Sequence, residues 1–160
     1  MADSEDPGQI VIVDDEEMVL TSIRSFLMLE TEYDVHPFLS ANEALEFIAE
    51  NEVDLVISDY LMPEMDGITL LGKIKDIRPE VTRIILTGYA DKENAIKAIN
   101  DVGLFQYIEK PWDNEDLRII IRNGLEKKIL MRKLEEKIGQ INRAYSELQS
   151  IQQEVLKTFV

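Results

Sequence analysis

Five short strand-like segments, most of them apolar runs, alternate with helix-like patterns along the first 124 residues of the chain. A short apolar run predicts a buried strand, whereas apolar residues spaced three and four apart predict a helix with one buried face. The predicted strands cover 9–13, 33–38, 53–58, 82–86 and 105–108, and the predicted helices cover 16–30, 40–50, 66–77, 92–100 and a segment that begins at 113. This alternation predicts a doubly wound α/β fold, in which helices cover both faces of a five-stranded parallel sheet.

The last helical pattern continues beyond the length that a single domain needs. No proline occurs between Asp113 and Phe159, and apolar residues recur at alternating spacings of three and four, broken by Gln152. These seam residues are Met131, Leu134, Ile138, Ile141, Tyr145, Leu148, Val155 and Phe159. A narrow seam of about four heptads favours a coiled coil, and an exposed apolar seam needs a partner. We therefore predict a homodimer through the C-terminal helix.

These patterns divide the chain into three segments. Residues 1–8 are acidic and contain no apolar run, which predicts a disordered lead. Residues 9–124 form the predicted α/β domain, and residues 125–160 form an extended helix or coiled-coil linker. Because the seam is uninterrupted at Val160, we expect the chain to be a piece of a longer protein, with an output domain beyond the linker.

Composition and charge exclude several classes of protein. The chain contains no cysteine, so disulfides and thiolate metal sites are excluded. No apolar run approaches the roughly 20 residues of a membrane span, and the acidic N-terminus differs from a secretory signal. We therefore expect a cytoplasmic protein that does not bind membranes. The net charge of −15 argues against direct nucleic-acid binding by this chain, and it fits a domain that gathers carboxylates around a divalent cation.

Charged or hydroxyl-bearing motifs follow four of the five predicted strands. They are Asp14-Asp15 after the first strand, Asp59 after the third, Thr87-Gly88 after the fourth and Lys110-Pro111 after the fifth. A lone Asp in this position more often only begins a turn. However, the carboxyl ends of parallel strands meet at one edge of the sheet, where open α/β folds bind their ligands. The four motifs together therefore predict one shared site.

In this order and at these spacings, the motifs resemble the receiver domain of bacterial two-component response regulators, over residues 9–124. The resemblance implies a flavodoxin-like strand order of 2-1-3-4-5. It also implies a switch in which Asp59 accepts a phosphoryl group from the phosphohistidine of a sensor histidine kinase, or from a histidine phosphotransfer protein. Mg²⁺ would be held directly by Asp15 and Asp59, through water by Asp14, and by the backbone carbonyl of Leu61.

The remaining motif residues have roles in the same scheme. Lys110 is a fixed positive charge for the phosphoryl oxygens, and Thr87 offers them a hydroxyl. By resemblance, Tyr107 turns inward when Thr87 moves, so that the two residues form a two-state switch. Lys110-Pro111 is a candidate for a cis peptide bond. Leu61 and Tyr89 occupy positions that tune the lifetime of the acyl phosphate in this family, and their bulk predicts slow hydrolysis.

Two rival functions stay open. A haloacid-dehalogenase-like phosphatase also uses an Asp nucleophile and Mg²⁺, but its D-x-D motif follows the first strand, where this chain has Asp14-Asp15. An adaptor with a silent receiver would work through its coil alone, although such receivers usually lose one of the site residues. We expect no enzymatic activity beyond self-phosphorylation and self-dephosphorylation.

The sequence also suggests what the linker leads to. The final segment EVLKTFV is similar to the helix that enters HD-GYP-type cyclic-di-GMP phosphodiesterase domains. Diguanylate cyclase and AAA+ activator outputs remain open alternatives.

Overall fold

The computed structural model describes residues 7–158, which form a five-stranded parallel sheet and five α-helices. The strands are β1 (Gln9–Val13), β2 (Asp34–Phe38), β3 (Leu55–Asp59), β4 (Thr82–Thr87) and β5 (Gln106–Glu109). The helices are α1 (Glu17–Glu30), α2 (Ala41–Glu50), α3 (Gly67–Ile77), α4 (Lys92–Asp101) and α5 (Asn114–Thr158). The strand order is β2-β1-β3-β4-β5, which confirms the predicted doubly wound topology.

Three strands, β3, β4 and β5, extend one residue further at their carboxyl ends than the apolar pattern predicted. The ladder between β3 and β4 continues to the pair Asp59 and Leu86, and the ladder between β4 and β5 continues to Thr87 and Glu109. Asp59 and Thr87 therefore belong to the sheet, whereas the pattern had placed them just beyond it. Hydrogen bonding between parallel neighbours extends these strands past their last apolar residue, so hydrophobicity alone underestimates their length.

Side-chain caps fix the start of three helices. The Ser40 hydroxyl accepts a hydrogen bond from the Glu43 N–H at 3.4 Å, and the Asp66 carboxylate accepts one from the Thr69 N–H at 2.7 Å. The Asp113 carboxylate accepts from the N–H groups of Glu115 and Asp116. Such caps satisfy donors that the first turn of a helix leaves free. They place the starts of α2, α3 and α5 within a residue of the predicted positions.

The core consists of two apolar layers, one on each face of the sheet. On one face, Val11, Val56 and Ile85 pack with the buried residues of α2, α3 and α4. On the other face, the alternate strand residues pack with α1 and with the first turns of α5. The central strands β1, β3 and β4 are largely apolar on both faces because both faces are covered, as expected for a parallel sheet, whereas the edge strands carry the exposed residues Asp34 and Gln106.

The predicted lead 1–8 lies mostly outside the described residues, which begin at Pro7. Within the described part, the carbonyl oxygen of Gly8 accepts a hydrogen bond from the Asp34 N–H at 2.9 Å. Gly8 is therefore hydrogen-bonded to β2, an edge strand of the sheet.

The chain divides into two compact units, Met1–Glu126 and Lys127–Val160. The described part of the second unit is entirely helical. Its seam residues are 48–65% exposed from Met131 to Val155, whereas apolar residues of the first unit fill a core. Among the described residues, no helix combines the length and apolarity that crossing a membrane requires.

Candidate functional site

The carboxyl ends of β1, β3, β4 and β5 bring the predicted site residues to one edge of the sheet. Asp14 and Asp15 directly follow β1, Asp59 ends β3, and Thr87 ends β4. Lys110 directly follows β5, and its N–H donates to the carbonyl oxygen of Thr87 at 2.8 Å. The strand register therefore places side chains together that are as much as 96 residues apart in sequence.

Three carboxylates form an acidic cluster at this edge. Asp14, Asp15 and Asp59 each offer an oxygen atom, and these atoms lie within 4.8 Å of one another. Asp14 and Asp59 are buried, whereas Asp15 is exposed. Burial raises the pKa of the Asp14 carboxyl and that of the Asp59 carboxyl, and each is raised further by a neighbouring carboxylate. A hard divalent cation such as Mg²⁺ prefers oxygen ligands of this kind, so the donor set fits the ion.

Lys110 is the positive charge inside the cluster. Its ammonium nitrogen lies 3.0 Å from Asp59 Oδ1 and 3.2 Å from Asp14 Oδ2. Burial alone would lower the pKa of Lys110, but the hydrogen bond to Asp59 and the charges of both carboxylates outweigh burial and raise it. Lys110 is therefore held as an ammonium ion that bridges two acidic side chains. The Lys110–Pro111 peptide bond is cis, which is the conformation expected at this turn.

Backbone contacts fix the position of the two buried carboxylates. Asp14 Oδ1 accepts a hydrogen bond from the Glu16 N–H at 2.8 Å, which orients this side chain at the start of α1. After Asp59, the Tyr60 N–H donates to the Leu86 carbonyl oxygen at 2.9 Å, and the Tyr60 carbonyl oxygen accepts from the Gly67 N–H at 2.8 Å. The loop 60–66 thus leaves the sheet and returns beside Asp59.

Gly67 is a residue of the site whose close contact with β3 the sequence did not predict. A Cβ atom on Gly67 would overlap with the carbonyl oxygen of Asp59. Only glycine allows the first turn of α3 to approach the end of β3 this closely. The sequence showed a glycine at a helix start, but the contact depends on how α3 packs against the sheet.

Thr87 and Tyr107 lie on neighbouring strands. The Thr87 hydroxyl is buried and donates a hydrogen bond to the Gly88 carbonyl oxygen at 3.1 Å. Tyr107 is half-buried on β5, and the ammonium group of Lys92 lies 5.9 Å from the centre of its ring. Lys92 also pairs with Glu109 at 3.5 Å. Leu61 lies in the loop after β3 and Tyr89 begins a short 3-10 helix after β4, each two residues beyond a site residue, and they are 60% and 82% exposed.

Together, this fold and this site define a class of protein. It is a doubly wound α/β protein with an acidic site outside the carboxyl ends of β1 and β3, the point where the strand order reverses. A family model described as the response regulator receiver domain matches residues 10–122. The chain belongs to the response regulator receiver family and is a receiver of two-component signalling. Receivers bind Mg²⁺ at an acidic cluster and interact with histidine kinases.

Individual relatives agree with this membership. The hydrogenase transcriptional regulatory protein HoxA of Cupriavidus necator is 32% identical over 77% of this chain and 25% of its own length. The receiver domain of an HD domain-containing protein from Pseudomonas fluorescens is 39% identical, with a TM-score of 0.72 over 77% of this chain and 98% of that one. A receiver domain protein from Clostridium thermocellum is 36% identical, with a TM-score of 0.73 over 78% of this chain and 98% of that one. The chain spans about a quarter of the length of HoxA.

Replacing Asp14 by Asn is expected to stabilise the metal-free protein. The variant keeps an oxygen that can accept from the Glu16 N–H, and it removes one of two buried like charges that share Lys110. We expect the free energy of unfolding to rise by about 1 kcal/mol in urea titrations with EDTA. The control is Asp15→Asn. Because the Asp15 carboxylate is exposed, this substitution should change the free energy of unfolding by less than about 0.5 kcal/mol. Equal effects of the two substitutions would show that burial of Asp14 carries no cost.

Proposed function

We propose that the chain is a phosphorylation-activated switch in which Asp59 accepts a phosphoryl group. The donor is the phosphohistidine of a sensor histidine kinase or of a histidine phosphotransfer protein. The observation that carries the proposal is the 3.0 Å ion pair between Lys110 Nζ and Asp59 Oδ1, within the cluster that includes Asp14 and Asp15. A nucleophilic carboxylate beside a fixed cation and further metal-ligating carboxylates is suited to phosphoryl transfer.

Asp59 acts as the nucleophile in this scheme. A carboxylate oxygen of Asp59 attacks the phosphorus atom, the bond between phosphorus and the histidine nitrogen breaks, and an acyl phosphate forms. The Lys110 ammonium, already in contact with Asp59, donates hydrogen bonds to the incoming phosphoryl oxygens. The Thr87 hydroxyl, which donates to Gly88 in the unphosphorylated protein, turns to donate to another of these oxygens.

The acidic cluster supplies the ligands for the cation. Asp15 and Asp59 would bind Mg²⁺ directly, Asp14 through a water molecule, and Leu61 through its backbone carbonyl. When bound, Mg²⁺ offsets the negative charge that the carboxylates and the phosphoryl group bring together. The chain catalyses only its own phosphorylation and dephosphorylation.

The conformational change that follows phosphorylation is transmitted through Thr87 and Tyr107. When Thr87 moves toward the phosphoryl group, the half-buried ring of Tyr107 turns into the space that is vacated. This rotation changes the surface around Lys92 and Glu109, which contact or flank the ring. A partner or a second copy that binds this surface distinguishes the two states.

The C-terminal helix is proposed to join two chains as a coiled coil and to relay the change to an output domain. The half-exposed seam of the second unit supports an association through the helix. The Pseudomonas fluorescens relative is named as an HD domain-containing protein, which supports an output with an HD domain. The similarity of the segment EVLKTFV favours the HD-GYP type, a cyclic-di-GMP phosphodiesterase. The transcriptional regulator HoxA supports a regulator of transcription as the second candidate.

Acetyl phosphate and Mg²⁺ provide the test of this function. The full chain is incubated with both, and intact-protein mass spectrometry counts phosphoryl groups while a colorimetric assay follows released phosphate. A receiver gains one phosphoryl group per chain. It gains none when EDTA is present during labelling. A chain that stays unmodified and releases no phosphate would identify a silent adaptor. Phosphate release much faster than the decay of the phosphorylated chain allows would identify a phosphatase. Either result overturns the proposal.

The exposed Leu61 is expected to slow hydrolysis of the acyl phosphate. Its apolar side chain lies two residues beyond Asp59 and restricts the approach of water to this site. We expect Leu61→Asn to shorten the half-life of the phosphorylated protein several-fold, measured by the decay of the phosphorylated mass after donor removal. The control is Leu29→Asn at the far end of α1, where an exposed leucine should have no effect on the half-life. An unchanged or longer half-life in Leu61→Asn contradicts this role.

A further inference from the structure

The seam of the second unit contains one amide side chain among apolar ones. In heptad notation, the a positions are 131, 138, 145 and 152, and the d positions are 134, 141, 148 and 155. Seven of these eight positions carry apolar or aromatic residues that are 48–65% exposed in the single chain. The eighth is Gln152, which lies at an a position one turn before Val155. A second copy that covers the seam must therefore accommodate a buried amide.

The partner of Gln152 depends on the direction of the second helix. In a parallel, in-register pair, a residues face a residues, so the two Gln152 amides meet and donate to each other. In the antiparallel pair with full overlap, a residues face d residues, and Gln152 faces Leu134. A buried amide without a hydrogen-bond partner costs about 1–3 kcal/mol per chain. Gln152 therefore favours the parallel pair and penalises any shift of register that separates the two amides.

The residues that flank the seam favour the same direction. Ile151 and Leu156 occupy a g and an e position, and they are 58% and 66% exposed. In a parallel dimer, a g residue faces the e residue five positions later in the partner, so Ile151 meets Leu156 of the second copy. In the antiparallel pair, Ile151 faces Lys137 and Leu156 faces Lys128. Only the parallel arrangement covers both apolar side chains with apolar surface.

The charges at the positions that flank the seam are compatible with a parallel pair of helices along the whole seam. The g-to-e pairs of a parallel dimer are Leu130 with Glu135, Lys137 with Asn142, Ala144 with Gln149 and Ile151 with Leu156. No pair sets two like charges against each other, so the flanking positions do not oppose the association.

We propose that a second copy of this chain covers the seam as a parallel, in-register helix, and that the paired Gln152 amides fix its direction and register. The inference rests on the dimer of the proposed function and adds the geometry of its coil. It follows that both receivers lie at the same end of the coil.

The absence of cysteine from the chain makes cross-linking unambiguous. Met131→Cys and Val155→Cys are prepared separately and as an unfolded and refolded mixture, then oxidised mildly with and without prior phosphorylation by acetyl phosphate and Mg²⁺. In a parallel, in-register pair, each variant forms disulfides with itself, and the mixture contains no disulfide between positions 131 and 155. In the antiparallel pair, only the mixed 131–155 disulfide forms, and this result overturns the inference.

Light scattering of the cysteine-free chain separates this inference from the proposed function. A monomer in both phosphorylation states overturns the proposed dimer and the coil geometry with it. A trimer or tetramer overturns the two-stranded coil. A dimer with only mixed disulfides leaves the proposed dimer intact and overturns the parallel direction alone.

Gln152 itself is tested by substitution in the same cross-linking assay. We expect Gln152→Leu to strengthen association while mixed 131–155 disulfides begin to form, because the amide no longer penalises other arrangements. Gln152→Asn should retain self-pairing, and Gln153→Leu, at an outward b position, should leave the disulfide pattern unchanged. If the cysteine variants form the same disulfides with Gln152→Leu as they do with Gln152, then Gln152 does not fix the direction.

Discussion

Replacement of Asp59 by Asn is expected to reduce phosphoryl incorporation from acetyl phosphate to background. Asp59 is the carboxylate that ends β3, and its Oδ1 atom contacts the Lys110 ammonium at 3.0 Å. An amide of the same shape fills the position but lacks the nucleophilic oxygen, and it can offer the cation only a neutral carbonyl oxygen. Intact-protein mass spectrometry after incubation with acetyl phosphate and Mg²⁺ measures the loss.

The matched control is Asp76→Asn, an exposed carboxylate on α3 that lies outside the acidic cluster. This variant should incorporate one phosphoryl group at the rate of the parent chain. Circular dichroism should show both variants folded, because Asn keeps the volume of Asp and Lys110 retains Asp14 as a partner. Undiminished incorporation by Asp59→Asn would assign the phosphoryl group to another residue.

Gly67→Ala is expected to produce the largest loss of stability among single substitutions at the site. The new methyl group would overlap with the carbonyl oxygen of Asp59, and neither atom belongs to a flexible side chain. Relief requires a shift of α3 or of the end of β3, and we expect a loss of about 3 kcal/mol in the free energy of unfolding. Urea denaturation followed by circular dichroism measures this loss. Because Asp59 would move, the rate of phosphorylation should fall as well.

Gly88→Ala is the control for Gly67→Ala. Gly88 also follows a site strand, but apart from its two chain neighbours no described residue has an atom within 4 Å of the place its Cβ would occupy. Its φ of −78° is accessible to alanine. We expect a change in stability within about 0.5 kcal/mol. Equal losses in the two variants would mean that the close approach at Gly67 does not matter.

Hydrophobic pattern and strand direction were sufficient to predict the sheet and the place of the site. The central strands β1, β3 and β4 had recognisable apolar runs, and parallel strands necessarily present their carboxyl ends at one edge. Asp14, Asp59, Thr87 and Lys110 could therefore be grouped before any coordinates were known. The order of the strands required the family resemblance, because several orders satisfy the same alternation of strands and helices.

Other features depend on three-dimensional packing and could not be read from the pattern. The last residues of β3 and β4 are Asp59 and Thr87, polar residues that pairing with neighbouring strands holds in the sheet. The role of Gly67 depends on the distance between α3 and β3, which no local sequence signal encodes. The bridge that Lys110 forms between Asp14 and Asp59 likewise depends on side-chain direction at the ends of three separate strands.

The most direct test of the central claim locates the phosphoryl group on the chain. After labelling with acetyl phosphate and Mg²⁺, borohydride reduces an aspartyl phosphate to homoserine, which peptide mass spectrometry detects at its position. We predict that homoserine forms at position 59 alone, and only when Mg²⁺ is present during labelling. Homoserine at another acidic position, or a phosphoryl group that resists borohydride because it is bound to a hydroxyl or to His36, would contradict the account.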